Sequence, residues 1–259
     1  MSISRKIWLE PFQQDNMPNW SCPRCNIGIL RPIDDTFHFA ESGDIRSEIV
    51  QHGESFDYES YTFRYTVLLK CNNSSCEEHV ASGGEGRVDT SFAEVANRGL
   101  NPIHVEVFVP QFFFPSVSIF SIPKECPESV STEIKTSFKL FFADPPASAN
   151  YVRKAIDAIL TNKRIKRFSN VKGKRKPINL HNRIIEFEKK DAKIAKKLLA
   201  IKWLGNEGSH ANTMTKNDVL DAYEILESVL DDLYVGYKKA VERKVSQINK
   251  SKKPLHPST

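Results

Sequence analysis

A chain of 259 residues with 40% hydrophobic side chains can bury one large core or two modest ones, and two domains are expected. No run of about 18 apolar residues is present to span a bilayer, and the segment Met1 to Trp8 lacks the apolar stretch of a secretory signal, so a cytoplasmic protein with no membrane partner is expected. The net charge of +5 divides unevenly: residues 1–126 carry 10 Lys/Arg against 17 Asp/Glu, whereas residues 127–259 carry 27 against 15. Such a contrast points the C-terminal half, and not the N-terminal half, toward a polyanion or an acidic partner.

The first chemical signal is Cys22-Pro23-Arg24-Cys25, followed after 45 residues by Cys71 and, after four more intervening residues, by Cys76. Two tight turns that each present two thiolates fill all four positions of a tetrahedral Zn2+, leaving none for water or substrate. The site is therefore expected to be structural, with Cys22, Cys25, Cys71 and Cys76 as ligands and zinc as the cofactor. In a reducing cytoplasm that use of cysteine outranks disulfides. His79 lies three residues past Cys76 and is read as a surface residue.

Between the two cysteine pairs an acidic, polar stretch gives way to Tyr61–Lys70, β-rich and running straight into Cys71, which is what a ribbon requires. Glu77–Ser82 and Gly86–Asp89, separated by Gly83-Gly84, read as a hairpin that extends the same sheet. Ile103–Val109 alternates well enough to form another strand, and Pro110 and Pro115 bracket Phe112-Phe113-Phe114. With no basic residue between His104 and Lys124, the phenylalanines are read as an interdomain staple rather than a base-stacking platform. Cys126 has no partner nearby in sequence and is read as a packed thiol.

From Pro127 the apolar period changes from two to about 3.6. A first helix is expected over Pro127–Phe142, ended by Asp144-Pro145-Pro146, and a second from near Ser148, with Val152, Ala155, Ile156, Ile159 and Leu160 on its buried face. A third should cover Leu180–Leu204 with a break near Lys190-Asp191. The fourth, opened by the capping-box pattern Thr215-x-x-Asp218, should run to about Val245. Between the second and third helices stand Lys163, Arg164, Lys166, Arg167, Lys172, Lys174, Arg175 and Lys176, eight cations and no anion over residues 163–176. The segment holds Gly and Pro and no helical stripe, so a mobile loop is expected. As a nucleic-acid contact it would be salt-dependent and would bind RNA or DNA without sequence specificity; as a structural feature it would only be a solvated loop.

One constellation remains, Leu204-Gly205-Asn206 with His210 after three further residues. Together with Trp8-Leu9-Glu10, Pro18-x-Trp20-x-Cys22-Pro23-x-Cys25-x-x-Gly28-x-Leu30, the later cysteine pair, Cys126-Pro127-x-x-Val130 and Arg153, it resembles domain-of-unknown-function family 4145. The resemblance implies a HEPN-like helical domain, commonly dimeric, linked with restriction subunits and anti-phage defence. It implies an α+β chain: a β-rich zinc-ribbon domain at 1–126, a HEPN-like four-helix bundle at 127–248, and a disordered basic tail at 249–259. Catalytic members pair a His with an Arg four to six residues before it, the His moving a proton and the Arg stabilising phosphate charge. Here Asn206 stands four before His210, the preceding positions are Gly205, Leu204 and Trp203, and Lys202 is the nearest cation. Three functions follow as expectations: a nucleic-acid-binding accessory or effector protein, a HEPN-type metal-independent ribonuclease using His210 with Asn206, Arg153 or Lys202, and an adaptor for a protein partner in a defence complex.

Overall fold

The computed structural model describes residues 3–45, 60–95, 99–211 and 214–252, with side chains at all of these except 93–95, 99, 100, 205–211, 237–240, 242 and 243. The chain is mixed α+β and forms two compact units. One comprises Ser4–Ile119 with Phe138–Asp144; the other comprises Phe120–Ser137 and the chain from Pro145 onward, with the extreme N-terminus. Among the described residues no helix is long and apolar enough to cross a membrane.

The first unit opens on a short helix, α1 (Arg5–Leu9), and is otherwise a β structure built on five strands: β1 (Leu30–Pro32), β2 (His38–Glu41), β3 (Thr62–Cys71), β4 (His79–Val95) and β5 (Gly99–Phe114). Strand β3 is central, with β1 and β2 antiparallel along one edge and β4 along the other, and β5 pairs outside β4. Its alternation of buried Phe63, Tyr65, Val67, Leu69 and Cys71 with exposed Arg64 and Leu68 is the period-two pattern of a sheet with one solvated face. Phe12, Trp20, Tyr65 and Phe108 close the core edge to face, and Phe113 inserts between Trp20 and Phe142 at 4.8 and 5.0 Å. Of the phenylalanine triplet, then, Phe113 is a core residue, whereas Phe112 and Phe114 are exposed.

The expected turn at Gly83-Gly84 is corrected. Both residues lie inside β4, where the pairing with β5 shifts register between them. A Cβ on Gly84 would stand 2.2 Å from the Val109 carbonyl oxygen, and one on Gly83 would stand 2.8 Å from Cε1 of Phe112. The pair permits a close backbone approach at a bulge, a second use of glycine that sequence alone does not separate from a turn.

In the second unit α2 (Glu128–Leu140) and α3 (Pro145–Asn162) are followed by β6 (Phe168–Val171) and β7 (Lys174–Pro177), then by α4 (Leu180–Glu188), α5 (Ala192–Ala211) and α6 (Lys216–Leu230). Pro145 and Pro146 open α3 rather than only ending α2, as suits residues whose missing N–H costs nothing in a first turn. The expected face of α3 is buried, and α5 meets it with Ile194, Ala195, Leu198 and Ile201. The break at Lys190-Asp191 is present: Asp191 caps α5 by accepting from the Ile194 amide at 3.0 Å. Thr215 and Asp218 close a reciprocal capping box at the start of α6. Inside the unit, Tyr223 sits fully buried, its hydroxyl 2.7 and 2.9 Å from those of Ser137 and Ser148.

Two expectations for this unit are corrected. The fourth helix does not run unbroken to Val245: a π-helical turn at Asp231–Val235 and a left-handed Gly236 (φ 65°) separate α6 from α7 (Tyr237–Ser251). Lys197 crosses to this turn, its Nζ donating to Ser228 Oγ at 2.7 Å and to Asp232 Oδ2 at 2.6 Å. The basic segment is not a loop but the β6–β7 hairpin. Of the expected tail, α7 includes residues to Ser251, and residues 253–259 lie outside the described residues.

Candidate metal centre and basic ribbon

Strand pairing brings the four cysteines together. An isolated bridge between Ser21 and Ile29 closes the first turn, and the register Leu30↔Cys71 lays it beside the end of β3. Within that turn the Asn26 amide donates to the Cys22 carbonyl at 3.0 Å, and Asn26 takes a left-handed φ of 54°. The second turn repeats the geometry, with the Glu77 amide donating to the Asn73 carbonyl at 3.1 Å and Glu77 at φ 50°. Cys76 therefore matches Cys25, and Asn73 matches Cys22. The remaining ligand has moved two residues back to Cys71 on the strand, which is the physical reason for the wider x4 spacing.

All four sulfurs lie within 4.8 Å of one another, with Cys22 to Cys76 and Cys25 to Cys71 both at 3.7 Å. A tetrahedron with metal–sulfur bonds of about 2.3 Å has edges of about 3.8 Å, so the cluster could hold a metal ion. His79 opens β4 and does not belong to the cluster. Backbone amides of Gly28, at 3.3 Å, and Ile27 donate toward Cys25 and lower its pKa to about 6, favouring thiolate. Burial acts oppositely on Cys22, pushed up to about 12, and on Cys71, also raised. An uncompensated set of four clustered charges is thus resisted, and a cation would reverse that balance.

Three supporting residues were not singled out for this role by sequence. A Cβ at Gly28 would lie 2.4 Å from Cys71 Sγ, so the position admits only glycine. Asn72 Oδ1 accepts from the Ile29 amide at 2.8 Å and ties the two turns together, and Asn73 Oδ1 accepts from the Ser75 amide at 3.0 Å within the second turn. An Asn-Asn pair directly after a cysteine was the available signal. Cys126 is not part of the cluster; its thiol is pushed up to about 11 by burial, which makes it a poor nucleophile.

The basic segment is organised from its base upward. At the end of α3 the amides of Arg164 and Ile165 return to the carbonyls of Thr161 and Leu160, both at 2.9 Å, with Arg164 left-handed at φ 60°. That is a Schellman stop with arginine in the place glycine usually takes. Ile178 donates to Arg167 at 2.8 Å and starts the ladder that becomes β6–β7, and the hairpin turns on Lys172 (φ 51°) and Gly173 (φ 75°). Positive φ at both turn residues matches the twist of the strands.

Arg183, 1% exposed, holds this base. Its Nε donates to the Lys166 carbonyl at 3.1 Å, Nη1 to the Asp157 carbonyl and carboxylate, and Nη2 to Thr161 Oγ1 and the Ile165 carbonyl at 2.9 and 3.0 Å. All five of its N–H donors are engaged.

Of the eight expected nucleic-acid contacts, Lys163 lies over the Tyr234 ring at 4.6 Å and Arg167 is 3.7 Å from Asp157. Arg164 and Lys166, with Asn182, Glu186 and Lys190, line a cleft of about 460 Å³ at the hairpin base. Lys172, Lys174, Arg175 and Lys176 are on the exposed ribbon, and among the described residues none of them pairs with a carboxylate.

The candidate catalytic residues are spread over α3 and α5. Asn206 and His210 lie on α5, but their side chains are outside the described residues. Lys202 is nearly buried, with Nζ 3.6 Å from the Trp203 ring centre. Because α5 is one unbroken helix through Ala211, Lys202 and His210 are separated by about 12 Å along its axis. Arg153 is half-buried on α3.

No curated protein and no solved structure is significantly similar to the chain. Two family models match it: domain of unknown function DUF8608 over residues 10–113, and domain of unknown function DUF4145 over residues 135–251. Arg153 and the Leu204 to His210 stretch fall in the second match. The tryptophan, glycine and cysteine motif at 18–30 and the pair Cys71 and Cys76 fall in the first, so the resemblance drawn from sequence reached too far toward the N-terminus. Residues 135–251 are thus similar to the family of domain of unknown function DUF4145, and residues 10–113 to that of DUF8608.

Proposed function

We propose that this protein is a cytoplasmic nucleic-acid-binding accessory or effector protein of a restriction-type, anti-phage defence system, with a structural zinc in its N-terminal unit and a HEPN-like, dimer-forming helical unit. The observation that carries the binding role is the β6–β7 ribbon, where Lys172, Lys174, Arg175 and Lys176 stand on a short, rigidly turned hairpin with no carboxylate among them. Phosphate backbones meet such a surface through counterion release, which supplies affinity without base contacts. The four-thiolate cluster supports zinc: sulfur spacings of 3.7 Å suit Zn2+, and a site made of four cysteines leaves no open position for catalysis. The defence setting rests on the resemblance to family 4145.

The test is a binding titration of duplex and single-stranded oligonucleotides at several salt concentrations. Replacing Lys172, Lys174, Arg175 and Lys176 together by Ala should weaken binding and flatten the log–log salt slope on a duplex by up to about 3.6, from about 0.9 per phosphate contact. Unchanged affinity and slope would remove the binding role. A ribonuclease centred on His210 is the lesser reading. Lys202, the nearest cation before it in sequence, is nearly buried against Trp203, and a second subunit would have to supply charge at the phosphate.

A further inference from the structure

The ribbon has two unlike faces. In an antiparallel pair, opposed residues point to the same side and alternate along each strand. The register Phe168↔Pro177 and Asn170↔Arg175 puts Phe168, Asn170 and Arg175 on one face; Ser169↔Lys176 and Val171↔Lys174 put Lys174 and Lys176 on the other. Arg175 Cζ lies 3.9 Å from the Phe168 ring centre, and the register sets Arg175 opposite Asn170. One face is therefore a pair of planar, forked hydrogen-bonding groups, and the other is a pair of point charges.

That division matches how a duplex is read. Asn and Arg recognise adenine and guanine edges by paired hydrogen bonds, and lysines on a separate surface neutralise phosphates. The dimensions agree as well. Four-residue strands extend about 14 Å, enough to reach the floor of a B-form major groove about 12 Å wide and about 8.5 Å deep, which admits a two-stranded ribbon. The major groove of A-form RNA is too narrow and deep for this approach. A single strand would find one aromatic ring on the ribbon to stack on, Phe168, and Arg175 already occupies one of its faces. Resting on the nucleic-acid reading above, we propose that the Phe168–Pro177 ribbon is a major-groove reader of B-form duplex DNA, with Asn170 and Arg175 toward the bases and Lys174 and Lys176 toward the backbone.

The experiment compares one sequence as DNA duplex, RNA duplex and single strands at fixed salt, using the full chain, and repeats the DNA arm with guanines methylated at N7. The DNA duplex should bind at least about tenfold tighter than the RNA duplex, and N7 methylation should weaken it. Arg175→Lys, which keeps the charge and loses the fork, should cost DNA about fivefold to a hundredfold, the worth of one paired base contact, with an unchanged salt slope. Lys174→Ala with Lys176→Ala should weaken all three ligands and lower the slope by about 1.8 on the DNA duplex and about 1.4 on single strands. Equal binding of DNA and RNA duplexes, or indifference to N7 methylation, overturns the major-groove assignment and leaves the basic-ribbon reading standing. Indifference of every ligand to both sets of substitutions overturns the two together.

Discussion

Arg183→Met is the substitution that most directly tests how the ribbon is held. Methionine keeps much of the volume and removes all five donors. Three carbonyls (Asp157, Ile165 and Lys166), the Thr161 hydroxyl and the Asp157 carboxylate then lose this donor, although Thr161 Oγ1 still donates to the Asp157 carbonyl at 2.8 Å and Arg167 still stands 3.7 Å from the Asp157 carboxylate. Breaking a buried pair by deleting one member costs about 3–5 kcal/mol. The Asp157 side chain is 37% exposed, so water recovers part of that, and the lower end, about 3 kcal/mol, is expected. Arg183→Lys retains charge but has three donors on one atom, and should lose roughly half as much. The assay is denaturant unfolding combined with hydrogen exchange over residues 163–190, where protection of Ile165 and Ile178 should fall first because the Schellman turn and the hairpin base share this guanidinium. A loss below about 1 kcal/mol, with unchanged exchange over that segment, would refute the assignment of Arg183 as the clamp.

Two further outcomes are expected. Metal analysis should return one zinc per chain, and Cys25→Ser or Cys71→Ser should abolish it and raise hydrogen exchange in β1 and around Cys71; a content well below one, or full zinc in both variants, would remove the site. At Asp218 the Thr215 hydroxyl, and then its amide, hold the carboxyl below its ordinary value of 3.8. A depressed folded pKa gives stability that is present above that value and is lost as pH falls through the folded pKa. Asp218→Asn should therefore cost about 0.5–1 kcal/mol at neutral pH and nothing once the wild-type carboxyl is protonated, and a gap independent of pH would contradict the capping box.

The parts of this chain that were legible in its sequence are those where one residue type has one strong use. Cysteine pairs announce a cluster that could hold a metal ion, Thr215-x-x-Asp218 announces a helix start, and the α3 stripe from Val152 to Leu160 can bury only one way. What misled has two uses. Gly83-Gly84 is a turn signal and equally a close-approach signal, and only the position of Val109 across the strand decides between them. Gly236 ends the π-helical turn that follows α6, although the apolar stripe continues to Tyr237, because a left-handed glycine depends on backbone geometry that periodicity does not report. The hairpin was hidden because Lys172-Gly173 stands where Asn-Gly or Asp-Gly would signal a tight turn, and because lysines along the ribbon erase apolar alternation.

A hairpin and a loop differ in what phosphate binding would cost. A mobile loop binding phosphate must order itself on contact, at about 1–2 kcal/mol of backbone entropy per residue, a cost that for ten residues would offset most of what a few lysine–phosphate contacts provide. Between Phe168 and Pro177 that ordering has already been met in folding. The Schellman turn at Arg164 fixes where the ribbon leaves α3, Arg183 fixes its base, and the positive-φ pair at Lys172-Gly173 fixes its tip. Four cations on a strand pair already formed would meet a polyanion as a preorganised set. The position of each then matters, and a substitution such as Arg183→Met, which removes no cation from the exposed ribbon, should weaken nucleic-acid binding through geometry alone.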